Sequence, residues 1–369
     1  MADANFDKAA LAWTLPWDAD WVSAVTFIGA SRRVVAGNHL GQLLVWDLPE
    51  KPGDPLPAPV RRLDGHTNQI SRLLCTPDGK WLISASYDHT IRYWDMEAEA
   101  TEEGTVVLNP KAVADSIARR NNGAKKVDPV EVKVKVQKSA RTLEGHKDWI
   151  LGLAMTPDGA TLVSGDDGGN VVLWDRAEGK EKSRFKVKGW VFALAISPDA
   201  KQLLVSERIP LVFDSGRYAA VKLWDAATGQ VQHDLSKDYS KEGVIGSAAY
   251  SPDGKLLILA RAGECDGPNG KVFTYDPATG KRLKELTPGH LNGSTDVVYH
   301  PDGKHVASSG RDTVIRLWDV AAGKQVKELG KPRGGQFKDW IHTVAFTRDG
   351  AWLAAADIDG AVHVWALNG

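Results

Sequence analysis

Apolar and polar residues alternate along most of this chain in runs of five to seven, such as "WLISAS" (81–86) and "TIRYWD" (90–95). Alternation of that length marks a strand with one buried and one open face, so the predicted elements are short β-strands. The runs are punctuated by a recurring tetrapeptide: "TPDG" at 76–79 and 156–159, "SPDA" at 197–200, "SPDG" at 251–254, "HPDG" at 300–303 and "TRDG" at 347–350. Proline presets φ for the first corner and Asp-Gly tolerates the tight remainder, so each is a β-turn between antiparallel strands.

Each unit ends its third run on an aromatic residue followed by aspartate. Trp46-Asp47, Trp94-Asp95, Trp174-Asp175, Trp224-Asp225 and Trp318-Asp319 keep the pair, and Tyr275-Asp276 and Trp365-Ala366 are degenerate copies. The spacings are 48, 80, 50, 51, 43 and 47 residues, so one unit spans about 45 residues and the long gap holds an insertion. Three or four short strands per unit, seven times over, imply a radial array that leaves few sheet edges open.

Two of the units, "LDGHTNQISRLLCTPDGKWLISASYDHTIRYWD" (63–95) and "LEGHKDWILGLAMTPDGATLVSGDDGGNVVLWD" (143–175), resemble WD40 repeats, with Gly-His about 28 residues before Trp-Asp. The likeness runs from about residue 9 to the C-terminus, apart from three insertions. It implies an all-β fold: a seven-bladed β-propeller of four-stranded antiparallel blades, one domain over 9–369 with an insertion at 97–138. In the family each repeat supplies the outer strand of one blade and three inner strands of the next. The ring should therefore close where "AALAWTL" (9–15) pairs with "AVHVWAL" (361–367). Blade ends such as "WDAATG", "YDPATG" and "WDVAAG" resemble bacterial members of the family more than eukaryotic ones. The resemblance is specific for fold and nearly silent on function.

The family's His, Ser, Asp and Trp hydrogen-bond network ties a loop to its blade. It is expected in full in the second repeat (His66, Asp88, Trp94 and a serine of "SAS") and the sixth (His290, Asp312, Trp318). The third keeps His146 and Trp174 but has Gly168 where the aspartate is expected. The fourth, fifth and seventh lack Gly-His, and the first has Pro16-Trp17 there. Those blades are expected to depend on apolar packing and to be locally less rigid.

The chain carries fourteen tryptophans, and aligning the units on the Pro-Asp-Gly turn brings four of them to one position. The residue before the first strand of each unit is Trp21, Gln69, Trp149, Trp190, Val244, Gly293 or Trp340. In a propeller this position lies at the mouth of the central channel, on the face where proteins of the resembled family usually meet partners. Two residues on, the rim continues with Ser23, Ser71, Leu151, Phe192, Gly246, Thr295 and His342, and Tyr87 joins the candidate partner-binding set. Two readings stand side by side: the indoles pack on one another and plug the channel, or they stay accessible as a docking surface for a protein or peptide. Asp20, Asp148 and Asp339 each precede a rim tryptophan. Carboxylates beside π faces attract ammonium and guanidinium groups, which points to a Lys/Arg-bearing segment. The same aspartates would equally serve local turns.

Two enlarged loops face this rim from neighbouring blades, "ERIPLVFDSGRYAA" (207–220) and "ARAGECDGPNGK" (260–271). As walls of the site they offer Arg208, Arg217, Tyr218, Arg261, Glu264 and Asp266, and as simple solvated loops they offer nothing. The insertion at 97–138 should emerge on the opposite face. Its "NPKAVADSIARR" (109–120) predicts a short amphipathic helix, and "PVEVKVKVQK" (129–138) a strand with valines on one side and Glu131, Lys133 and Lys135 on the other. It is read as a structural embellishment or as a second binding surface.

Composition narrows the partners. With 43% hydrophobic and 25% charged residues and a net charge of −1, no field is strong enough to recruit nucleic acid. The expected partner is a protein or peptide, with the chain monomeric by itself. "MADANFDKAALAW" lacks the blocks of a signal peptide and no stretch approaches ~18 apolar residues. A cytoplasmic chain without membrane insertion is the default, and export with the signal peptide already removed would leave the same sequence. Cys75 and Cys265 have no metal-ligand spacing, and no His-Glu-x-x-His or Gly-x-Ser-x-Gly pattern occurs, so no cofactor or metal is expected. "GPNGK" (267–271), "DDGGN" (166–170) and "DIDG" (357–360) read as turns. The alternative to a non-catalytic scaffold is a propeller enzyme, of hydrolase or dehydrogenase type, at the central channel. Its mark would be a strongly perturbed carboxylate or histidine in a deep channel pocket.

Overall fold

The alternating runs become strands, and the Pro-Asp-Gly tetrapeptides become the turns between them. A computed structural model describes residues 4–17, 21–108, 130–209, 218–238, 244–262, 270–331 and 340–368. The units run as antiparallel meanders; the third, for example, orders Ile150–Met155, Thr161–Asp166, Asn170–Asp175 and Lys180–Lys186 side by side. Its turn is locked by Thr156 Oγ1, which donates to Asp158 Oδ1 at 2.5 Å. The same Ser/Thr-to-Asp bond recurs in the turns of 76–79, 197–200, 251–254 and 347–350.

Seven first strands stand around one axis: Val22–Phe27, Ile70–Cys75, Ile150–Met155, Trp190–Ile196, Val244–Tyr250, Ser294–Tyr299 and Ile341–Phe346. Each contacts the next, and the last contacts the first, so the array is a closed seven-bladed propeller. Between neighbouring blades lie seven separate apolar clusters. This stacking explains a departure from simple alternation. Thr161–Asp166 is buried along its whole length because neighbouring blades cover both of its faces, whereas the outer Lys180–Lys186 is mostly exposed. The aromatic residues that end the third runs fill the interfaces, with Trp46, Trp94, Trp318 and Tyr275 fully buried.

The ring closes as expected. Ala10–Pro16 pairs antiparallel with Ala361–Ala366, from Ala10 opposite Ala366 to Pro16 opposite Ala361. A bulge between Leu11 and Trp13 resets the faces, so that Leu11 is 53% exposed while Trp13 and Leu15 are buried.

The blades are not uniformly four-stranded. The first carries six strands, because Val130–Lys138 runs parallel to its outer strand Arg61–Asp64 and Glu102–Leu108 pairs with Val130–Lys138. The fifth and sixth are joined at their outer edges by one parallel bridge, Thr287 opposite Lys324. In the insertion the predicted faces hold over the second half of the strand: Val134 and Val136 are buried and Val132 is half-buried, while Val130 is exposed along with Glu131, Lys133 and Lys135. Val106, Leu108 and Val134 join the core of the first blade, so this hairpin is part of the propeller wall. The predicted helix at 109–120 lies outside the described residues.

Candidate functional site

The rim is built by one repeated backbone device. Immediately after the second strand of a blade, a backbone N–H donates to the carbonyl of the rim residue. His39 bonds Trp21, Tyr87 bonds Gln69, Asp167 bonds Trp149, Arg311 bonds Gly293 and Ile358 bonds Trp340, at 2.9–3.2 Å. In the fourth and fifth blades the strand pairing itself does this, with Trp190 opposite Arg208 and Val244 opposite Ala262. The seven rim residues are thereby fixed at equivalent places, each facing a partner from the next strand.

Two rim tryptophans are open. Trp21 and Trp149 are each 46% exposed, whereas Trp190 and Trp340 are half-buried. Trp149 lies flat on Tyr87, with ring centroids 5.0 Å apart and planes 2° from parallel. The backbone N–H of Trp149 also donates to Asp167 Oδ1 at 2.8 Å, so loop and strand hold each other. Trp21 leans on His39 at 5.9 Å. Trp340 is covered on one face by the Arg311 guanidinium, 4.1 Å from the ring centroid, and the Arg208 guanidinium lies 5.8 Å from Phe192.

The charges on this face are sorted. Beside Trp149, Asp148 and Asp167 stand close together, and Asp167 is held above the usual carboxylate range by burial and by the charges of Asp148 and Asp166. Gly168 makes that approach feasible, since a Cβ there would collide with the Asp148 carboxylate. Arg72 and Arg311 line the mouth cavity, where Arg72 also acts on Tyr87 and on the buried Asp296, and Arg208 lies near enough to Arg311 to act on its charge. Burial, and then Arg208, push the Arg311 guanidinium below its ordinary pKa.

A cavity of about 200 Å³ opens at the mouth, lined by Gln69, Arg72, Tyr87, Phe192, Arg311, Trp340 and His342 among others. Burial pushes the His342 imidazole down to about 4, against the pull of Asp357 and with help from Arg72 and Arg311. Its Nε2 is buried without a hydrogen-bond partner. A second cavity of about 540 Å³ lies toward the opposite end of the channel, where Asp296 lines it. Burial raises the Asp296 pKa, and its oxygens accept from Ser247 Oγ at 2.6 Å and from the N–H groups of Val297 and Val344 at 3.0 Å. Asp296 thus clamps the fifth, sixth and seventh blades together.

The loops that carry the rim are tied to their blades by buried polar networks. In the second blade, Trp94 Nε1 donates to Ser84 Oγ (2.9 Å), which contacts His66 Nε2 (2.7 Å), and His66 Nδ1 meets Asp88 Oδ2 (2.7 Å). In the sixth, Trp318, Ser308, His290 and Asp312 repeat the chain at 2.8, 2.7 and 2.9 Å. The indole N–H donates to Ser Oγ, and the carboxylate accepts from the imidazole at Nδ1. Burial keeps His66 and His290 below their ordinary range, against the pull of Asp88 and Asp312.

The third blade corrects an expectation. Its network is complete, with Asp166 in place of the aspartate missing at 168: His146 Nδ1 lies 2.6 Å from Asp166 Oδ2, and Ser164 joins His146 to Trp174. Asp166 ends the second strand, two residues before the family position, and reaches the same imidazole. The fourth blade also corrects the idea that blades without Gly-His rest on apolar packing. The buried Glu207 accepts from the N–H groups of Lys188 and Gly189 at 2.9 and 3.3 Å and pairs with Lys222 at 3.7 Å. In the first blade Trp17 is buried edge-on against Trp46 at 6.0 Å, and the buried Asn38 Oδ1 accepts from the N–H groups of Leu40 and Gln42.

Gln69, Tyr87, Phe192, Trp340 and His342 line the mouth cavity, Trp149 stacks on Tyr87 with Asp148 beside Asp167, Arg208 lies by Phe192, and Trp21 and Trp190 hold the equivalent rim places of their own blades. Arg261 is not among them; it is buried, and the rim place in its blade belongs to Ala262. One position along a strand reverses the face. Asp20, Asp339, Arg217, Glu264 and Asp266 lie outside the described residues, as does the Tyr218 side chain and most of both enlarged loops. Arg311 and Asp167 were missed in the sequence, although they occupy the place of Tyr87 and Arg208 in the repeat. Also missed was a group at the sixth-blade turn, where ligand atoms of His300, Asp302 and His305 lie within 4.8 Å of one another. His300 Nε2 donates to the Gly350 carbonyl (3.2 Å), and Asp302 meets both imidazoles at 3.1 and 2.7 Å. The Ser/Thr-to-Asp bond of five other turns is here made by imidazole, so the group is a turn lock.

Comparison with known proteins agrees with this architecture. Residues 57–95 match the family described as WD domain, G-beta repeat. Residues 135–366, more than half of the chain, match the family described as Outer membrane protein assembly factor BamB. A guanine nucleotide-binding protein subunit beta from Oryza sativa subsp. indica is 24% identical over 335 residues, covering 84% of this chain and 83% of its own. Small ribosomal subunit protein RACK1y from Oryza sativa subsp. japonica is 23% identical over 392 residues, covering 99% and 98%. Nuclear distribution protein PAC1-2 from Uncinocarpus reesii is 27% identical over 333 residues, covering 81% and 70%. These relatives are eukaryotic, so they give no support to the bacterial style read from the blade ends.

Proposed function

Because the chain belongs to the WD40-repeat propellers, and over residues 135–366 to the family described as outer membrane protein assembly factor BamB, we propose that it is a non-catalytic scaffold that docks a protein segment on its tryptophan-bearing face. The observation that carries this reading is the 46% exposure of Trp21 and Trp149 in a molecule that buries Trp46, Trp94 and Trp318 completely. An indole offers 150–250 Å², so each leaves roughly 100 Å² still to cover, about 2–3 kcal/mol at ~25 cal/mol/Å². Two such side chains on a preformed frame have the character of interface hot spots. Names among the relatives point the same way, since a "subunit beta" and a "small ribosomal subunit protein" are parts of larger assemblies.

The flank of Trp149 favours a basic residue in the docked segment. Asp148 and Asp167 repel each other across Gly168, and a Lys or Arg set over the open face of Trp149 would relieve that repulsion while gaining cation–π attraction. The alternative of a channel enzyme has two perturbed groups in its favour, His342 and Asp296. They line different cavities, and Asp296 is engaged by Ser247, Val297 and Val344. The His342 mouth, about 200 Å³, is below the roughly 300–1,000 Å³ of ordinary small-molecule sites, and the cavity of about 540 Å³ that falls within that range has, among the described residues, only the engaged Asp296 as its perturbed acid.

The test is capture from native extract with wild type and a W21A/W149A variant, each shown to be folded by its thermal melt. Both side chains are exposed, so the variant should melt within about 1 kcal/mol of wild type. A protein retained by wild type and lost from the variant supports the reading; identical recovery from both refutes it.

A further inference from the structure

The turn of the sixth blade, His-Pro-Asp-Gly-Lys-His at 300–305, is locked by groups that also ligate metals. The geometry points to a mononuclear site for a divalent transition ion of the zinc, nickel or copper class, held by His300 Nδ1, the Asp302 carboxylate and His305 Nδ1. The site is independent of the docking face.

Ligand atoms of the three side chains lie within 4.8 Å of one another, and no other such trio occurs among the described residues. Around a tetrahedral Zn²⁺ with bonds of about 2.0–2.2 Å, ligand atoms stand about 3.3–3.6 Å apart. His300 Nδ1 is 3.1 Å from Asp302 Oδ1, and His305 Nδ1 is 2.7 Å from Asp302 Oδ2. These pairs need open by less than about 1 Å to admit the ion. Two imidazoles beside one carboxylate suit zinc, nickel or copper, whereas magnesium and calcium call for a shell of oxygens.

A lone pair already faces the centre. His300 Nε2 meets the Gly350 carbonyl, which only accepts, and His300 Nδ1 meets the Asp302 N–H, which only donates, at 3.2 Å each. The ring proton therefore sits on Nε2, and the Nδ1 lone pair stands 3.1 Å from the Asp302 carboxylate. Two acceptors at that distance repel, and a cation shared between them replaces the repulsion with two bonds. An outer N–H fixed by a backbone carbonyl is also the usual state of a metal-ligating histidine. The carboxylate is held in the same way, since Asp302 Oδ1 accepts from the N–H groups of Lys304 and His305 at 2.8 and 3.0 Å. Phe6 packs at right angles to both imidazoles, at 5.5 and 5.0 Å, and Phe346 to His300 at 5.0 Å. This apolar collar holds the rings in place, while the half-buried Asp302 and His305 leave the ion a way in. Binding releases the His305 Nδ1 proton to solvent, forms the nitrogen–metal bond in its place, and leaves the remaining coordination to water.

The fourth blade supplies the control. Its turn reads Ser-Pro-Asp-Ala-Lys-Gln at 197–202 and is locked by Ser197 Oγ on Asp199 Oδ1 at 2.7 Å. H300S/H305Q thus installs a turn that this chain already folds and removes both imidazoles. Chelator-treated full-length protein and this variant are titrated with ZnCl₂ by calorimetry. Wild type should take up one equivalent of Zn²⁺ at least tenfold more tightly than the variant binds any. No uptake by wild type, or a difference below tenfold, would overturn the site and place any bound ions on other side chains. If the variant does not fold, anomalous scattering from zinc-soaked crystals of wild type decides. A peak among His300, Asp302 and His305 supports the site, and no peak there refutes it.

Discussion

Removing the N-terminal strand's two buried side chains should loosen the whole ring, because that strand is the only covalent stranger in the last blade. Leu15 is fully buried opposite Val362, and Trp13 is buried opposite Val364 with its ring stacked on Trp352 at 5.2 Å. Truncating buried Trp costs about 3–5 kcal/mol and buried Leu about 2–5 kcal/mol. If the ring melts as one unit, an unfolding entropy of ~2.1 cal/mol/K per residue over 369 residues gives roughly 0.8 kcal/mol/K. Each kcal/mol then moves Tm by about 1.3 °C, so W13A and L15A should each lower Tm by roughly 3–6 °C. Leu11 lies on the same strand but is 53% exposed beyond the bulge, and L11A should shift Tm by less than about 1 °C. Scanning calorimetry of the three variants gives the comparison. If W13A and L15A melt within about 1 °C of L11A, the strand does not close the ring in the way described.

Two further predictions concern the polar ties and the titrating groups. D166A should destabilise the third blade by about 2–4 kcal/mol in urea unfolding, and D88A the second by a similar amount, because each orphans a buried imidazole N–H; a cost below about 1 kcal/mol for D166A would return that blade to apolar packing. Stability should fall as pH drops from 6.5 toward 4. His342, lowered to about 4 by burial with Asp357, Arg72 and Arg311 facing it, contributes fully only above its unfolded value near 6.5 and loses up to about 3 kcal/mol on the way down. Asp312, lowered to about 2, adds a second loss below pH 4. H342Q should flatten the upper part of this profile and leave the lower part, and an unchanged profile would contradict the burial of His342.

What the sequence disclosed and what it hid follow from the reach of each interaction. The turns and the aromatic-Asp endings are local, so the seven units and the closing strand could be read directly. The rim position was legible too, because one offset from the turn repeats in every unit, and Trp149 and Tyr87 do meet across it. The same logic could have yielded Arg311 and Asp167, which follow their second strands as Tyr87 does. It failed at Arg261, where one step of register turned the side chain inward, and at Asp166, where a carboxylate two residues from its usual place reaches the same histidine. The sorting of charge across the mouth was beyond pattern reading. Arg72 comes from a first strand, and Arg208 and Arg311 from the ends of second strands in two other blades, so only closure of the ring brings them together.

The most direct measurement of the central claim places a photoreactive residue at position 149 on the tryptophan face and, in a second protein, at position 78 in a turn at the other end of the strands. Both are irradiated in native extract and the cross-linked products identified. The account predicts one recurring protein joined through position 149 and absent from position 78. Cross-links that arise through position 78, or equally through both, would contradict a partner docked on the tryptophan rim.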